Sequence, residues 1–511
     1  MQKILDAPLE MVTTGLTPGI NSQDAPFWKD ARNVHFTAYG AEAQHGYAVP
    51  SFDAVFFDSV AGNFDAASGL FDLAGGSVPL ALSFSANKPI RGLMTYRLAT
   101  GLPRTVWGTV DKIWKWDGGA NADEVQSGLT GYPDESSGNL ATLLSMIPWG
   151  DWFITTNSID PIKIYKTGAS MATIGGTPPT RARCLAKLGP HVLAFNTNLG
   201  PNIMQYSAED NPEQWDNGAD VTAGILPVRD LENEILAAVQ LGNAIAVYSL
   251  NEMQLIQYLG GVFQFGSQPL LDGIGALSVQ SIVSVGRINY GLYFNGIFKT
   301  DGSSTQTITT KVFDTWMENN VNFAQKSKIY GWHDSVLHQV RWAVPLIGSS
   351  EPNFIIGYNY ITGSFSLYDQ GVTAATTSSV FRYSTVGTAG GKLFFAEANA
   401  QMLFDGATIN AFAQTKELDM DAPDIWKTLQ MLKLTLKDLS STGLFVELGW
   451  QEKLTDAIAW STPVAISNIN TEIWDNFGAV YLSLRFSSQD PNANWTLEKL
   501  AAFGVVSGQR F

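Results

Sequence analysis

The sequence contains one cysteine, Cys184, in 511 residues. No intramolecular disulfide can therefore brace the fold, and a reducing compartment is expected. Charge is scarce as well: Asp, Glu, Lys and Arg together make 15% of the chain, against roughly a quarter in ordinary soluble domains. A chain this poor in charge either buries much of its surface or presents large areas to other subunits. The charge that is present runs acidic, with 31 Lys and Arg against 47 Asp and Glu and a net charge of −16. That excludes a protein whose main task is to grip a phosphate backbone, because such a grip comes from basic side chains displacing condensed counterions. No apolar run reaches the ~18 residues of a membrane-spanning helix; the most apolar stretch, 235–250, is broken by Gln240, Gly242 and Asn243. The amino terminus lacks a basic stretch followed by an apolar one, so no signal peptide and a soluble chain are expected. Nucleophile elbows, phosphate loops and dinucleotide-binding glycine fingerprints are absent.

Glycine and aromatic residues, by contrast, are abundant: 48 Gly, 15 Trp and 28 Phe. They recur in a pattern best seen at Ile297 to Gly302, Ile-Phe-Lys-Thr-Asp-Gly. Alternating apolar residues that run into Asp-Gly describe a half-buried strand ending in a tight turn. Related ends close Ile113–Gly118 and Gln401–Gly406, and looser versions are Ile162–Gly168, Met253–Gly261 and Phe354–Gly363. The spacing, roughly 40 to 60 residues per unit, matches one four-stranded propeller blade and no helical repeat. An all-β chain is expected: a β-propeller, of six blades with seven as the alternative, followed by a β-sandwich-like domain.

Residues 1–25 read as an arm. The propeller is expected over 26–415, with loop insertions at about 51–88 and 119–139. Two short strand-like segments around a turn, 31–40 and 43–47, are placed to complete the last blade and close the ring. An acidic, proline-bearing stretch at 415–424 reads as a linker. Beyond it, strictly alternating runs at 429–436, 444–450, 480–486 and 495–497 predict an antiparallel sandwich over 416–511.

Candidate sites are few. His333 and His338 flank Asp334, but on an extended strand they point to opposite faces and no third ligand follows at metal spacing, so a hairpin turn with two ordinary histidines is expected. His35, His45 and His191 are isolated. Cys184 follows Arg181 and Arg183, which would lower its pKa, but a buried inert thiol is the commoner outcome. Asp419, Asp421 and Asp424 lack calcium-loop spacing. Lys311, Lys326 and Lys328 form the nearest approach to a basic patch and read as a solvated face. Ser488 to Trp495 resembles a degenerate Asp-box of sialidases, with Asn492 and Asn494 where that motif has Gly and Thr; an Asp-box is a structural turn, and the arginine cluster of sialidases cannot be assembled. No catalytic, cofactor-binding or metal-ligating set emerges, and the expectation is a protein without a cofactor that is not an enzyme.

Four phrases stand out together: Asp30–Phe36 with Gly46, Tyr206–Trp215, Gly242–Tyr248 with Gly275–Val283, and Trp332–Pro345 leading into Gly357–Gly363. Together they are similar to the tail nozzle family of short-tailed phages, also called tail tubular protein B, with the packaged-DNA stabilisation proteins as relatives. They span about residues 26–410; the C-terminal domain matches only in general character. The resemblance implies a virion protein assembled in the host cytoplasm as a hexameric ring under the portal and adaptor. It implies contacts with tail fibres or spikes, passage of the genomic duplex without sequence-specific binding, and no stable membrane insertion. An acidic lumen would repel the duplex, so that it slides instead of sticking, and loops at 51–88 and 119–139 would gate or dock. The alternative is a sialidase-like or glycan-binding propeller acting on cell-surface carbohydrate, and a third reading is a cellular propeller scaffold that binds peptides.

Overall fold

A computed structural model of the chain describes residues 2–7, 28–37, 40–48, four short strands within 51–81, and 88–117, 122–130, 143–261, 263–294, 296–377, 384–399, 403–405, 407–419, 425–439, 443–492 and 495–510. Seven four-stranded antiparallel sheets follow one another along the chain. Blade 1 is built from Gly92–Arg97, Pro103–Gly108, Ile113–Trp116 and Asp123–Gln126. Blades 2 to 6 span 145–173, 182–227, 237–272, 282–307 and 330–368. Blade 7 comprises Ala374–Thr377, Ser384–Gly387 and Leu393–Asn399, and its fourth strand is Gly46–Ala48. The first strand of each blade packs beside the first strand of the next, and that of blade 7 packs beside that of blade 1, so the circle closes. The chain is a seven-bladed β-propeller.

The half-buried strands expected from the Asp-Gly ends are corrected: Ile113–Trp116 and Phe354–Asn359 are buried on both faces. Pro103–Gly108, His191–Thr197, Ala244–Tyr248 and Phe354–Asn359 are buried at every position, because neighbouring blades cover both faces of each sheet. Such strands read as near-continuous apolar runs. Outer strands are half-exposed, as in Phe265–Asp272. Blade seams are tight: a β-carbon on Gly331 would meet Val283 Cγ2 at 2.6 Å and Gln280 O at 2.9 Å, so only glycine lets blade 6 lie against blade 5 here.

The expected six blades are corrected to seven. Six Asp-Gly-like ends were read, but only five close the third strand of a blade: Leu403–Phe404, at the Gln401–Gly406 end, pairs with Ala407–Thr408 in a separate hairpin, and the third strand of blade 3, Gly200–Tyr206, continues into Ser207-Ala208-Glu209 without a closing glycine. Blade 7 borrows its last strand from the amino-terminal region, with Phe395 paired to Ala48 and Asn399 to Gly46. That strand was anticipated. Its companion hairpin, Val34–Thr37 with Gly40–Ala43, goes elsewhere: Ala41 pairs with Leu497 and Glu42 with Thr496.

Strand pairing therefore cuts across the boundary drawn at residue 416. One C-terminal sheet contains Val34–Thr37, Gly40–Ala43, Trp495–Arg510, Ile425–Leu439 and Asn470–Ala479, with Gln2–Ala7 on Trp495–Arg510. The other contains Trp28–Arg32, Ala411–Thr415, Tyr481–Ser488, Leu444–Gln451 and Ala459–Trp460, with Val464–Ile466 on Leu444–Gln451. Trp28 meets Phe36 and Phe486 at ring separations of 6.0 and 5.8 Å, which places aromatic weight in the core between them. Asn33 holds this unit to blade 6. Its backbone is left-handed at φ 57, its N–H donates to Leu367 O, and its Oδ1 accepts from Asp369 N and Gln370 Nε2.

Two expected loops are changed. Within 119–139, Asp123–Gln126 is the outer strand of blade 1, and 131–139 lies outside the described residues. Within 51–88, Ser51–Phe52 pairs with Leu80–Ala81 and Asn63–Asp65 with Leu70–Asp72. Among the described residues one α-helix, α1 (Lys311–Asn320), links blades 5 and 6; the side chain of Thr310 caps it by accepting from Phe313 N.

Candidate functional site

The first strands of all seven blades surround an axial channel of about 790 Å³, lined among others by Met94, Met146, Lys187, Gln240, Ser284, His333 and Thr376. A strand of five residues is ~17 Å long, so the channel is on the order of 10 Å wide. That is less than the ~12 Å of DNA's major groove alone. Tyr330 stands where the inner strands begin; its hydroxyl, from blade 6, donates to Leu93 O of blade 1 at 3.2 Å, and burial pushes its pKa up. Among the described residues no carboxylate lines the channel.

The chemistry at the opposite end, the mouth, comes from blade 6. Tyr330–Asp334 turns into Gln339–Val344 through a tight hairpin in which His338 takes φ 54. Sequence spacing predicted the turn but put the two histidines on opposite faces. That part is corrected: the turn brings both rings to one hydroxyl, with His333 Nε2 3.1 Å and His338 Nδ1 3.3 Å from Tyr360 Oη. Tyr360, missed from the sequence, comes from the next hairpin. Burial lowers the pKa of His333, opposed by the Asp334 carboxylate and reinforced by His338. Burial raises that of Tyr360, and Asp334 adds to it. Asp334 is already engaged, with Oδ1 accepting from Val336 N and Leu337 N and Oδ2 from Ser384 Oγ. The mouth thus offers imidazole and phenol to a ligand. Among the described residues no group of three or more His, Cys, Asp or Glu could hold a metal.

The remaining candidates separate. His35 Nδ1 bonds Tyr368 Oη at 2.7 Å and His191 Nδ1 bonds Ser207 O at 2.7 Å, both fully buried. His45 is half-buried. Burial pushes the Cys184 thiol up to about 12 against the pull of Arg183; Arg183 pairs with Glu234, and Arg181 is exposed. The lysine patch does not form: Lys311 is exposed, Lys326 lies over the Phe294 ring, and Lys328 is 1% exposed. The solvated face expected for Lys328 is corrected, because its ammonium is held by Ser350 O and Glu351 Oε1. Glu351 also takes a two-pronged contact from Arg91 at 2.7 Å, so one carboxylate joins the entries to blades 6 and 1. Asp490 Oδ1 accepts from Asn492 N in the Asp-box-like segment, a turn contact. Asp419 is half-buried; Asp421, Asp424 and Asn494 lie outside the described residues.

The three Asp-Gly copies diverge. Asp301 Oδ1 accepts from Ser303 N and Ser304 N, and these bonds bring its pKa to about 2. Asp117 instead pairs with Arg104 and Lys115, and Asp405 with Lys392.

No protein-family model matches the chain, and no curated protein matches it. Solved structures similar to it include PorZ, a surface component of the type-IX secretion system of Porphyromonas gingivalis, at 9% identity and TM-score 0.37, covering 69% of this chain and 44% of that one. The Pan2 WD40 domain of Neurospora crassa is similar at 8% identity and TM-score 0.38, covering 61% and 90%. An exo-β-1,3-galactanase of Phanerochaete chrysosporium is similar at 9% identity and TM-score 0.26, covering 72% and 97%.

Proposed function

We propose that the chain is a structural ring subunit of a short-tailed phage nozzle, acting through its surfaces and without a catalytic step. The observation that favours this reading over a glycan-cleaving propeller is the lining of the axial channel. Hydrolysis of a glycosidic bond ordinarily needs two carboxyl groups roughly 5–10 Å apart, and no carboxylate lines the channel among the described residues. A duplex does not fit along the propeller axis, so the conduit lies between copies and the propellers form its wall. The specific assignment rests on the resemblance of Asp30–Phe36, Tyr206–Trp215, Gly242–Tyr248 and Trp332–Pro345 to nozzle proteins.

The test is the mass in solution with negative-stain images, alongside hydrolysis assays on fluorogenic sialosides and galactosides. Rings of six with a wide central hole and no hydrolysis are the expected result. A monomer that cleaves either substrate overturns the assignment in favour of the glycan-active propeller.

A further inference from the structure

The entry segments of blades 3 to 6 enclose a second cavity, of about 180 Å³, at the end of the propeller opposite the mouth. Its residues stand where the chain enters an inner strand or leaves a second one. Arg183 opens the inner strand of blade 3, Leu250 follows Ala244–Tyr248, and Lys326 and Ser327 lead into Tyr330–Asp334. Leu236, Leu250, Leu277 and Val279 form aliphatic walls, and Val279 also lines the axial channel. Several polar groups at the cavity are already engaged. Glu234 Oε1 sits 2.6 Å from Arg183 Nη1, and its Oε2 accepts from Asn196 Nδ2 at 3.1 Å. The Ser278 hydroxyl donates to Ile329 O. Two groups are not engaged in this way. Lys326 lies over the Phe294 ring at 5.0 Å, and among the described residues no carboxylate pairs with it. Ser327 Oγ is buried and has no hydrogen-bond partner among the described residues. Arg183 and Lys326 against Glu234 leave the lining with one uncompensated positive charge.

We infer that this cavity binds a small aliphatic carboxylate. The tail lies against the four aliphatic side chains, the Lys326 ammonium pairs with the carboxylate, and the Ser327 hydroxyl donates to it. Apolar walls with a few convergent polar groups are the usual form of a small-molecule site. An apolar cavity of ~150 Å³ takes benzene, so this one takes a ligand of about six to eight non-hydrogen atoms. A lipid chain is too long for it. A free phosphate would set a strongly hydrated anion against four aliphatic side chains. A neutral hydrocarbon would cover the buried hydroxyl without pairing it, and a metal cation would meet net positive charge. A monocarboxylate with a short tail meets the walls, the charge and the hydroxyl together. One copy of the chain supplies the whole site, so the inference stands apart from the nozzle assignment.

The test is isothermal titration calorimetry of the full chain with hexanoate at neutral pH. The expected result is a saturable site with a dissociation constant of about 1 mM or tighter. Hexanamide and 1-hexanol, which keep the tail and lose the charge, should bind at least about tenfold more weakly. Lys326→Met keeps the aliphatic stem and should weaken hexanoate at least about tenfold, and Ser327→Ala about threefold. Circular dichroism and melting temperature of both variants should match the parent chain. No saturable heat up to ~20 mM hexanoate, equal affinity for hexanol, or undiminished binding in Lys326→Met overturns the inference.

Discussion

Blades 1 and 4 have the same four-stranded order, but their outer hairpins are finished in opposite chemistry. In blade 1 the outer pair is laced with ions: Arg104, on the second strand, grips Asp117 at 2.5 and 2.9 Å, Lys115 reaches both Asp117 and Asp123, and Lys112 reaches Glu124 at 2.6 Å. In blade 4 the equivalent pair has no charge between its base acids, Glu252 and Asp272. The second strand is buried at every position in both, so that part of the blade framework does not depend on what its rim carries. The rim is where one blade can differ from another without disturbing the ring, and it is where function has to be sought.

The largest test of this contrast lies at the buried ion cluster of Glu351, Arg91 and Lys328 that joins the entries to blades 1 and 6. Glu351→Ala leaves Lys328 and Arg91 buried without their shared carboxylate, and a buried cation stripped of its partner costs about 3–5 kcal/mol. Urea denaturation should show that loss; a change under ~1 kcal/mol would mean that charge does not hold this seam. An intermediate effect is expected for Asp117→Asn. Burial pushes the Asp117 carboxyl up, but the bonds from Arg104 and Lys115 outweigh it and hold its pKa below the usual value. A depressed carboxylate stabilises the fold at pH values above its unfolded pKa of ~3.9 and loses that contribution as pH falls through the folded one. The variant should therefore be about 1–2 kcal/mol less stable at pH 7 after allowance for partial exposure. Its gap from wild type should close as pH falls below ~4, and a gap independent of pH would assign the effect to packing. The smallest effect belongs to Lys112→Met at the exposed rim pair with Glu124, where no shift in melting temperature is expected; a measurable drop would show that the rim ions do brace blade 1.

Much of the architecture was legible because local pattern encodes it. The ends at Ile113, Ile162, Met253, Ile297 and Phe354 each fall on the third strand of a blade, since a turn into the outer strand needs a residue tolerant of unusual backbone angles. The C-terminal strands alternate cleanly because one face of each is less buried, as in Leu444–Gln451. What was hidden depended on pairing across hundreds of residues, which no local pattern records: the seventh blade, and the sharing of residues 28–43 with the C-terminal sheets. At the channel mouth, the convergence of His333 and His338 was hidden because a left-handed residue in the turn reverses the facing that strand periodicity assigns. Lys328 misled for a related reason, since a lysine in a polar sequence context gives no sign of the carboxylate, 23 residues on, that holds it.

The borrowed strand Gly46–Ala48 also sets an order of events. Its partner Leu393–Asn399 leaves the ribosome some 350 residues later, and at roughly 5–20 residues per second that is about 20–70 s. Through that interval the early strands 28–48 have no sheet to join, while the blades between them are already being made. The molecule is thus fastened last by what was synthesised first, like a belt whose buckle and free end must both exist before either is of use.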